Sequence, residues 1–298
     1  MRIVVDDPDD ARIEVFQGLR DHVLRRRREQ ADGDMAGYFV AEGDNVVERA
    51  LRADYRLHSI LVDGRRSRPL PDAIGPDVPV YAAGPEVLQR ITGYHLHRGM
   101  LACFYRRSLP PLDQVLDGLL TSLVVEGVNN PTNLGVILRC AAALGVDRYF
   151  LDPTCCDPLY RRAGRVSMGE AYALPYARLE AFPDGLAPLK ERGVRLLALT
   201  PAPDAIGLPD LTLEPDEPVA VLLGAEGPGL TLATLAAADQ RVRIPMAGLV
   251  DSINVGSAAA VAFYGVAQAR RLSGVSGSNS AGDANYGDAS GPKDGGRQ

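Results

Sequence analysis

SLVVEGVNNPTNLGVILRCAAALGVDRYFL, residues 122–151, holds an apolar run, a polar turn, a helical stretch and a second apolar run in close succession. Ser122 to Val128 is too continuously apolar to alternate inward and outward, which predicts a strand covered on both faces. Asn129, Asn130 and Pro131 interrupt it. Leu134, Ile137, Leu138, Ala141 and Ala142 then fall on one stripe at 3.6-residue spacing, predicting a helix whose Arg139 lies off the stripe on the solvated side. RYFL, Arg148 to Leu151, opens the next strand. The same grammar recurs downstream, with strand-like runs at Val194 to Thr200, Val219 to Gly224 and Arg241 to Met246. GLAPLKERG and TLATLAAAD are the helical stretches between them. Repeated strand and helix units predict an α/β domain over about residues 119–272, built on a parallel sheet. Ligands of such sheets bind beyond the carboxyl ends of the strands, which selects the loops after Val128, Thr200, Gly224 and Met246.

Working outward, residues 38–105 of the N-terminal region (1–109) alternate helix-like and strand-like segments in a second, smaller α/β unit. Val46, Val47, Ala50 and Leu51 recur at helical spacing behind Asp44 and Asn45, both suited to capping. Pro110, Pro111 and Asp113 read as a linker. Residues 273–298, rich in Gly, Ser, Asp and Asn, lack the apolar surface to offset their ordering entropy and read as a disordered tail.

At 298 residues the chain suits about two domains, and 46% hydrophobic with 23% charged residues is the balance of a globular protein. No apolar run reaches the roughly 18 residues needed to cross a bilayer, and the N-terminus lacks a secretory pattern, so no membrane role and a cytoplasmic location are expected. Cys103, Cys140, Cys155 and Cys156 form no CxxC pair and read as buried thiols rather than metal ligands or a disulfide framework. A net charge of −6 argues against a polyanionic partner, yet its distribution does not. Arg90 to Arg107 contains four arginines, two histidines and three aromatics without one acid, and further arginines cluster at 25–28, 65–68 and 161–165. Arginine among aromatics suits phosphate contact and base stacking. Lys190 and Lys293 being the only lysines, a plain compositional preference for arginine explains the clusters equally well.

Two further loops have the composition for chemistry. LLGAEGPGL places Gly224, Gly227 and Gly229 around Glu226, with a spacing that is not the dinucleotide fingerprint GxGxxG. A tight turn is the ordinary reading of the glycines, whereas Glu226 is a carboxylate at the mouth of a buried sheet. In IPMAGLVDSINVGSAAAVAFY, Ser252 and Asn254 stand where a helix cap is wanted. The small residues behind them permit close approach to another helix or to a flat ligand.

Taken in order and spacing, NPTNLGVILRCAAALG, LLGAEGPGL and IPMAGLVDSINVGSAAA resemble the three motifs of the SpoU (TrmH-like) branch of the SPOUT RNA methyltransferases. GRVSMGEAYALPY resembles that family's SxGA turn, with Glu170 where alanine is usual. FVAEGDNVVERAL and HLHRGMLACF resemble the two ends of its small RNA-binding domain, with His97, Arg98 and Gly99 replacing a PQG triplet. The resemblance implies a trefoil-knotted parallel-sheet methyltransferase domain behind a small α/β RNA-binding domain, a homodimer with a shared active site, and S-adenosylmethionine as cofactor. It implies that Thr200, Gly224, Ile244, Met246 and Ile253 line the cofactor pocket, and that Asn133, Arg139, Glu226, Ser252 and Asn254 form the polar active site, with no metal. The activity implied is 2′-O-ribose methylation of RNA, ribosomal RNA before transfer RNA because an auxiliary RNA-binding domain precedes the catalytic one. A catalytically inactive RNA-binding or ribosome-assembly factor of the same fold is the main alternative. A nucleotide-dependent oxidoreductase is disfavoured by the missing GxGxxG after the first strand.

Overall fold

The computed structural model describes residues 2–20, 24, 33–96, 99–247 and 252–279. The Arg25 to Arg28 cluster, His97, Arg98 and most of the C-terminal tail lie outside the described residues.

The N-terminal unit comprises β1 (Arg2–Val4), β2 (Tyr38–Glu42), α1 (Asp44–Arg52), β3 (Leu57–Asp63), β4 (Val80–Ala83), α2 (Pro85–Thr92) and β5 (Met100–Tyr105). Its sheet has the order β1-β4-β3-β5-β2, with β1, β4 and β3 parallel and β5 antiparallel to both neighbours. The unit therefore begins well before Tyr38: Arg2, Ile3 and Val4 pair with Val80, Tyr81 and Ala82. This extended, β-branched segment covers what is otherwise an open edge of β4. Alternation along β5 sends Leu101 and Cys103 into one core with Phe16, Leu19 and Leu88, and Met100, Ala102 and Phe104 into another on the opposite face.

The C-terminal unit opens with α3 (Leu112–Leu116), β6 (Thr121–Val125), α4 (Pro131–Ala143), β7 (Arg148–Leu151), α5 (Arg161–Val166), α6 (Glu170–Ala173) and β8 (Tyr176–Arg178). It continues through α7 (Ala187–Glu191), β9 (Arg195–Leu199), β10 (Ile206–Gly207), β11 (Val219–Leu223), α8 (Leu232–Ala237), β12 (Gln240–Arg243) and α9 (Val255–Asn279). All seven strands pair in parallel, in the order β10-β12-β9-β11-β6-β7-β8. Leu123 and Val125 of β6 face the core under α4 and α9, and Val124 faces the core under α3 and α7, so the run is apolar throughout because both faces are covered. The expected linker is partly structured, since Val115 and Leu116 bury α3 against the second core. The last helix runs on to Asn279, past the expected boundary at Leu272, as an elongating helix does once nucleated. The connection between β12 and α9, central to any knot, includes residues 248–251, outside the described ones.

One core runs through both units. Phe39 and Tyr55 of the first pack on Tyr172 of the second, with ring centroids 5.0 and 6.4 Å apart. Ion pairs join the rims of this contact: Arg49 with Glu170 at 2.9 Å, Arg106 with Asp157 at 2.5 Å, and Glu42 with Arg161 and Arg165.

Candidate active site

In the C-terminal sheet, β7 and β8 lie on one side of β6, and β11, β9, β12 and β10 on the other. Chain connections diverge at the boundary between β6 and β11, leaving a crevice beyond their carboxyl ends. The β6 side of that crevice is the turn into α4. Asn130 caps this helix, its Oδ1 accepting the Thr132 N–H at 2.9 Å, and Pro131 occupies the first helical position, where no N–H is needed. Asn133, one turn inside and only 8% exposed, points across to the β11 side.

Facing it, the loop after β11 folds back on itself through a bridge between Ala225 and Gly229, and the Gly229 N–H donates to the Ala225 carbonyl at 3.0 Å. A Cβ at Gly224 would stand 2.1 Å from the Gly229 carbonyl carbon and 2.2 Å from the Leu230 nitrogen, so only glycine fits. This turn presents Glu226. The Asn133 Nδ2 donates to Glu226 Oε2 at 2.8 Å, and the Asn254 Nδ2 donates to Asn133 Oδ1 at 3.3 Å and to Glu226 Oε1 at 3.5 Å. Asn254 also caps α9, its Oδ1 accepting the Gly256 N–H at 2.9 Å. Asn254 therefore caps the helix and joins the polar cluster at once, because an amide has an acceptor for the cap and a donor to spare. Gly256 lets α9 approach α4 closely, since a Cβ there would come within 2.5 Å of the Val136 side chain. The small residues of α9 thus meet a helix. Ser252 is exposed and makes no hydrogen bond to the cluster.

Sequence reasoning passed over one carboxylate. Glu126, at the end of β6, is buried, accepting the Thr231 N–H at 3.1 Å and the Thr234 hydroxyl at 3.0 Å while its own N–H donates to the Leu223 carbonyl. It pins both ends of the glycine turn that carries Glu226. The signal was a single acid inside the apolar run VVEGV.

The residues expected to line a cofactor pocket share this edge of the sheet. Thr200 follows β9, and its N–H donates to the Val242 carbonyl of β12 at 2.9 Å. Ile244 packs on the main core, while Met246 and Ile253 keep 37% and 38% of their surface exposed. Partly exposed apolar side chains at the carboxyl edge of a parallel sheet suit the face of a flat heterocycle, so the set fits an adenosyl group.

Arg139 does not join this cluster. It lies six residues beyond Asn133 on α4, two-thirds of a turn around and roughly 9 Å along the axis. There it is exposed and lines a separate cleft of about 300 Å³ with Asn45, Arg49, Ser167, Met168 and Glu170, where the N-terminal unit meets α4 and α6. Glu170, the departure from the SxGA pattern, is what holds Arg49 there, and Arg49 also donates to the Met168 carbonyl. The arginine clusters are similarly engaged. Arg65 pairs with Asp63, Arg66 and Arg68 with Asp44, and Arg161 and Arg165 with Glu42, so most of these guanidiniums hold the fold rather than phosphate. Within the acid-free stretch, Phe104 is core, Arg106 is tied to Asp157, and Tyr94 lies under Arg161, with burial first among the causes that push its phenol well above the usual range.

A family model described as the SpoU rRNA Methylase family matches residues 121–264. An uncharacterized tRNA/rRNA methyltransferase of Mycobacterium tuberculosis is 45% identical over 262 residues, which span 87% of this chain and 90% of that protein. The 23S rRNA (guanosine-2′-O-)-methyltransferase RlmB of Bordetella pertussis is 34% identical over 223 residues, 74% of this chain and 86% of the relative. Among solved structures, an RNA 2′-O ribose methyltransferase superposes with a TM-score of 0.68 at 28% identity, covering 91% of this chain and all of that one. An AdoMet-bound rRNA methyltransferase from Sinorhizobium meliloti shares the fold, with a TM-score of 0.71 at 22% identity over 91% of this chain and 98% of its own.

Proposed function

From the premise that the chain belongs to the SpoU rRNA methylase family, and is thereby an RNA methyltransferase, we propose that it methylates ribose 2′-hydroxyls of ribosomal RNA in the cytoplasm with S-adenosylmethionine as donor. The joined Asn133, Glu226 and Asn254 side chains at the carboxyl edge of β6 and β11 are the observation that carries this reading. Thr200, Gly224, Ile244, Met246 and Ile253 hold the donor, largely through backbone groups. When bound, S-adenosylmethionine supplies an electrophilic methyl group on a sulfonium whose thioether is the leaving group.

The protein's own residues have two tasks. They hold the hydroxyl in line with the methyl group, an orientation that lowers such barriers by as much as ~7 to 11 kcal/mol. They also take up the charge that develops as the hydroxyl proton leaves. The amides of Asn133 and Asn254, locked by Glu226, orient the ribose, and Glu226 is the group of the cluster able to accept a proton. Arg139, a guanidinium with five donors and no acceptor, contacts phosphate or the developing oxyanion rather than acting as a base. Because it lies on a different face of α4 from Asn133, it serves the site of a second copy in a homodimer. The exposed Val261 and Tyr264 of α9 offer apolar surface for that association. Ser252 contacts substrate from the same loop.

Purified protein incubated with radiolabelled donor is expected to label ribosomal RNA, with alkali-resistant linkages marking ribose methylation. Label in transfer RNA alone changes the substrate. The relatives named tRNA/rRNA methyltransferases leave both substrates in play. Donor binding without transfer to either RNA returns the chain to an inactive RNA-binding factor.

A further inference from the structure

Away from this site, three rings meet at one end of the N-terminal sheet. Tyr38 opens β2 and pairs in register with Tyr105, which closes β5, their centroids 5.2 Å apart. His58 stands 5.2 Å from Tyr38 and 5.4 Å from Tyr105. It reaches them through a register break in β3: Leu57 pairs with Phe104 and Ser59 with Cys103, leaving His58 as an extra residue without a partner on β5. A bulge of this kind re-aims one side chain at the cost of a ladder pairing. His58 is further fixed by a 2.8 Å hydrogen bond between Nδ1 and Ser59 Oγ.

Arginine completes the arrangement. The Arg56 guanidinium lies over the Tyr105 ring, 3.8 Å from its centroid, and Arg107 lies over Tyr55 at 4.3 Å. Both arginines are exposed, and among the described residues neither forms an ion pair, unlike the clusters at 65–68 and 161–165. The rings are half-buried, while the residues beside them on the same strands, Phe39, Ser59 and Phe104, are fully buried. Flat polarizable faces beside unneutralised guanidinium are what an unpaired nucleobase and its phosphate require.

We infer that Tyr38, His58 and Tyr105, with Arg56 over the Tyr105 ring, form a stacking platform for an unpaired base of the substrate RNA, a contact site distinct from the methyl-transfer crevice. The inference rests on the chain acting on RNA. It does not require that the methylated atom be a ribose oxygen. The platform supplies aromatic planes and charge without hydrogen-bonded readout, so it grips single strands with little preference among bases.

The chain contains no tryptophan, so Tyr105→Trp introduces a single indole that keeps the platform aromatic. Titrating the full-length variant with single-stranded oligoadenylate is expected to quench indole emission, while the same strand annealed to oligouridylate leaves it unchanged. In parallel, Arg56→Ala combined with His58→Ala is expected to weaken binding of the single strand roughly tenfold, the scale of one lost base stack. The double variant should raise KM for RNA rather than lower kcat. Retained donor affinity and thermal midpoint exclude unfolding as the cause. A 2-aminopurine-substituted strand, quenched on stacking against the unaltered protein, gives the same readout should Tyr105→Trp fail to fold. Unchanged indole and 2-aminopurine emission at saturating RNA overturns the inference, as does equal affinity of the double variant. Failure of the ribose-methylation reading looks different: quenching persists, but no methyl group is transferred.

Discussion

The two halves of the molecule use their sheets in opposite ways. The C-terminal sheet is parallel, covered on both faces, and presents a polar cluster at its carboxyl edge, where Asn133, Glu226 and Asn254 are joined by hydrogen bonds. The N-terminal sheet is mixed, shares one face with its neighbour's core, and exposes rings and guanidinium at the end formed by Tyr38 and Tyr105. One half is built to hold a few atoms in fixed geometry, the other to grip a polymer through surfaces tolerant of sequence. Damage to the first should therefore fall on rate, and damage to the second on RNA affinity.

The contrast breaks first if Glu226→Ala leaves turnover intact. This variant removes the shared acceptor of both amides, and single-turnover transfer should fall roughly 100-fold or more while donor binding persists. Arg139→Ala is expected to behave likewise; transfer at the normal rate removes Arg139 from the mechanism. Next in size is Tyr172→Ala at the seam, which empties a fully buried aromatic site and should cost about 3–5 kcal/mol. Calorimetry should then resolve two thermal transitions instead of one; a single, merely shifted transition means the halves fold as one unit without that contact. Glu170→Ala removes a partly exposed ion pair, with about 1 kcal/mol or less in stability. Its larger trace should be in KM for structured RNA, because Arg49 is released into the cleft that Arg139 lines. An unchanged KM makes the pair purely structural.

The smallest effect concerns pH. Burial, aided by Arg56, lowers the His58 imidazole below its ordinary value near 6.5. The unfolded chain therefore takes up the proton first, and stability should fall as pH drops through 6.5 toward the folded value. Urea midpoints at pH 7.5 and 5.5 should differ less for His58→Gln than for the unaltered protein. An equal difference assigns the pH dependence to other groups.

How much of this was legible in the sequence depended on range. The strands and the α4 stripe are local matters of periodicity, and the sequence carried them, whereas the cap at Asn130 came only with the structure. The carboxyl edge where Asn133, Glu226 and Asn254 meet was legible too, because a parallel sheet with one direction change has one such crevice. β8 and β10, of three and two residues, lack a run long enough to register and exist because β7 and β12 offer them an edge. Long-range pairing was silent. Nothing near Glu42 announces Arg161, more than a hundred residues away, so a stretch that read as a basic RNA face is largely an internal fastening. Arg139 was legible as solvated but not as lying apart from Asn133. Its surroundings come from α1 and α6, which the helix's own sequence does not name.

The amide of Asn254 meets that of Asn133 across a separation of 121 residues. At a synthesis rate of about 5–20 residues per second, its two halves leave the ribosome roughly 6–24 s apart. The rings of the N-terminal unit are complete long before then. A chain stopped ahead of residue 254 is thus expected to hold RNA without altering it, and the capacity for chemistry arrives only after the surface that grips RNA has already been made.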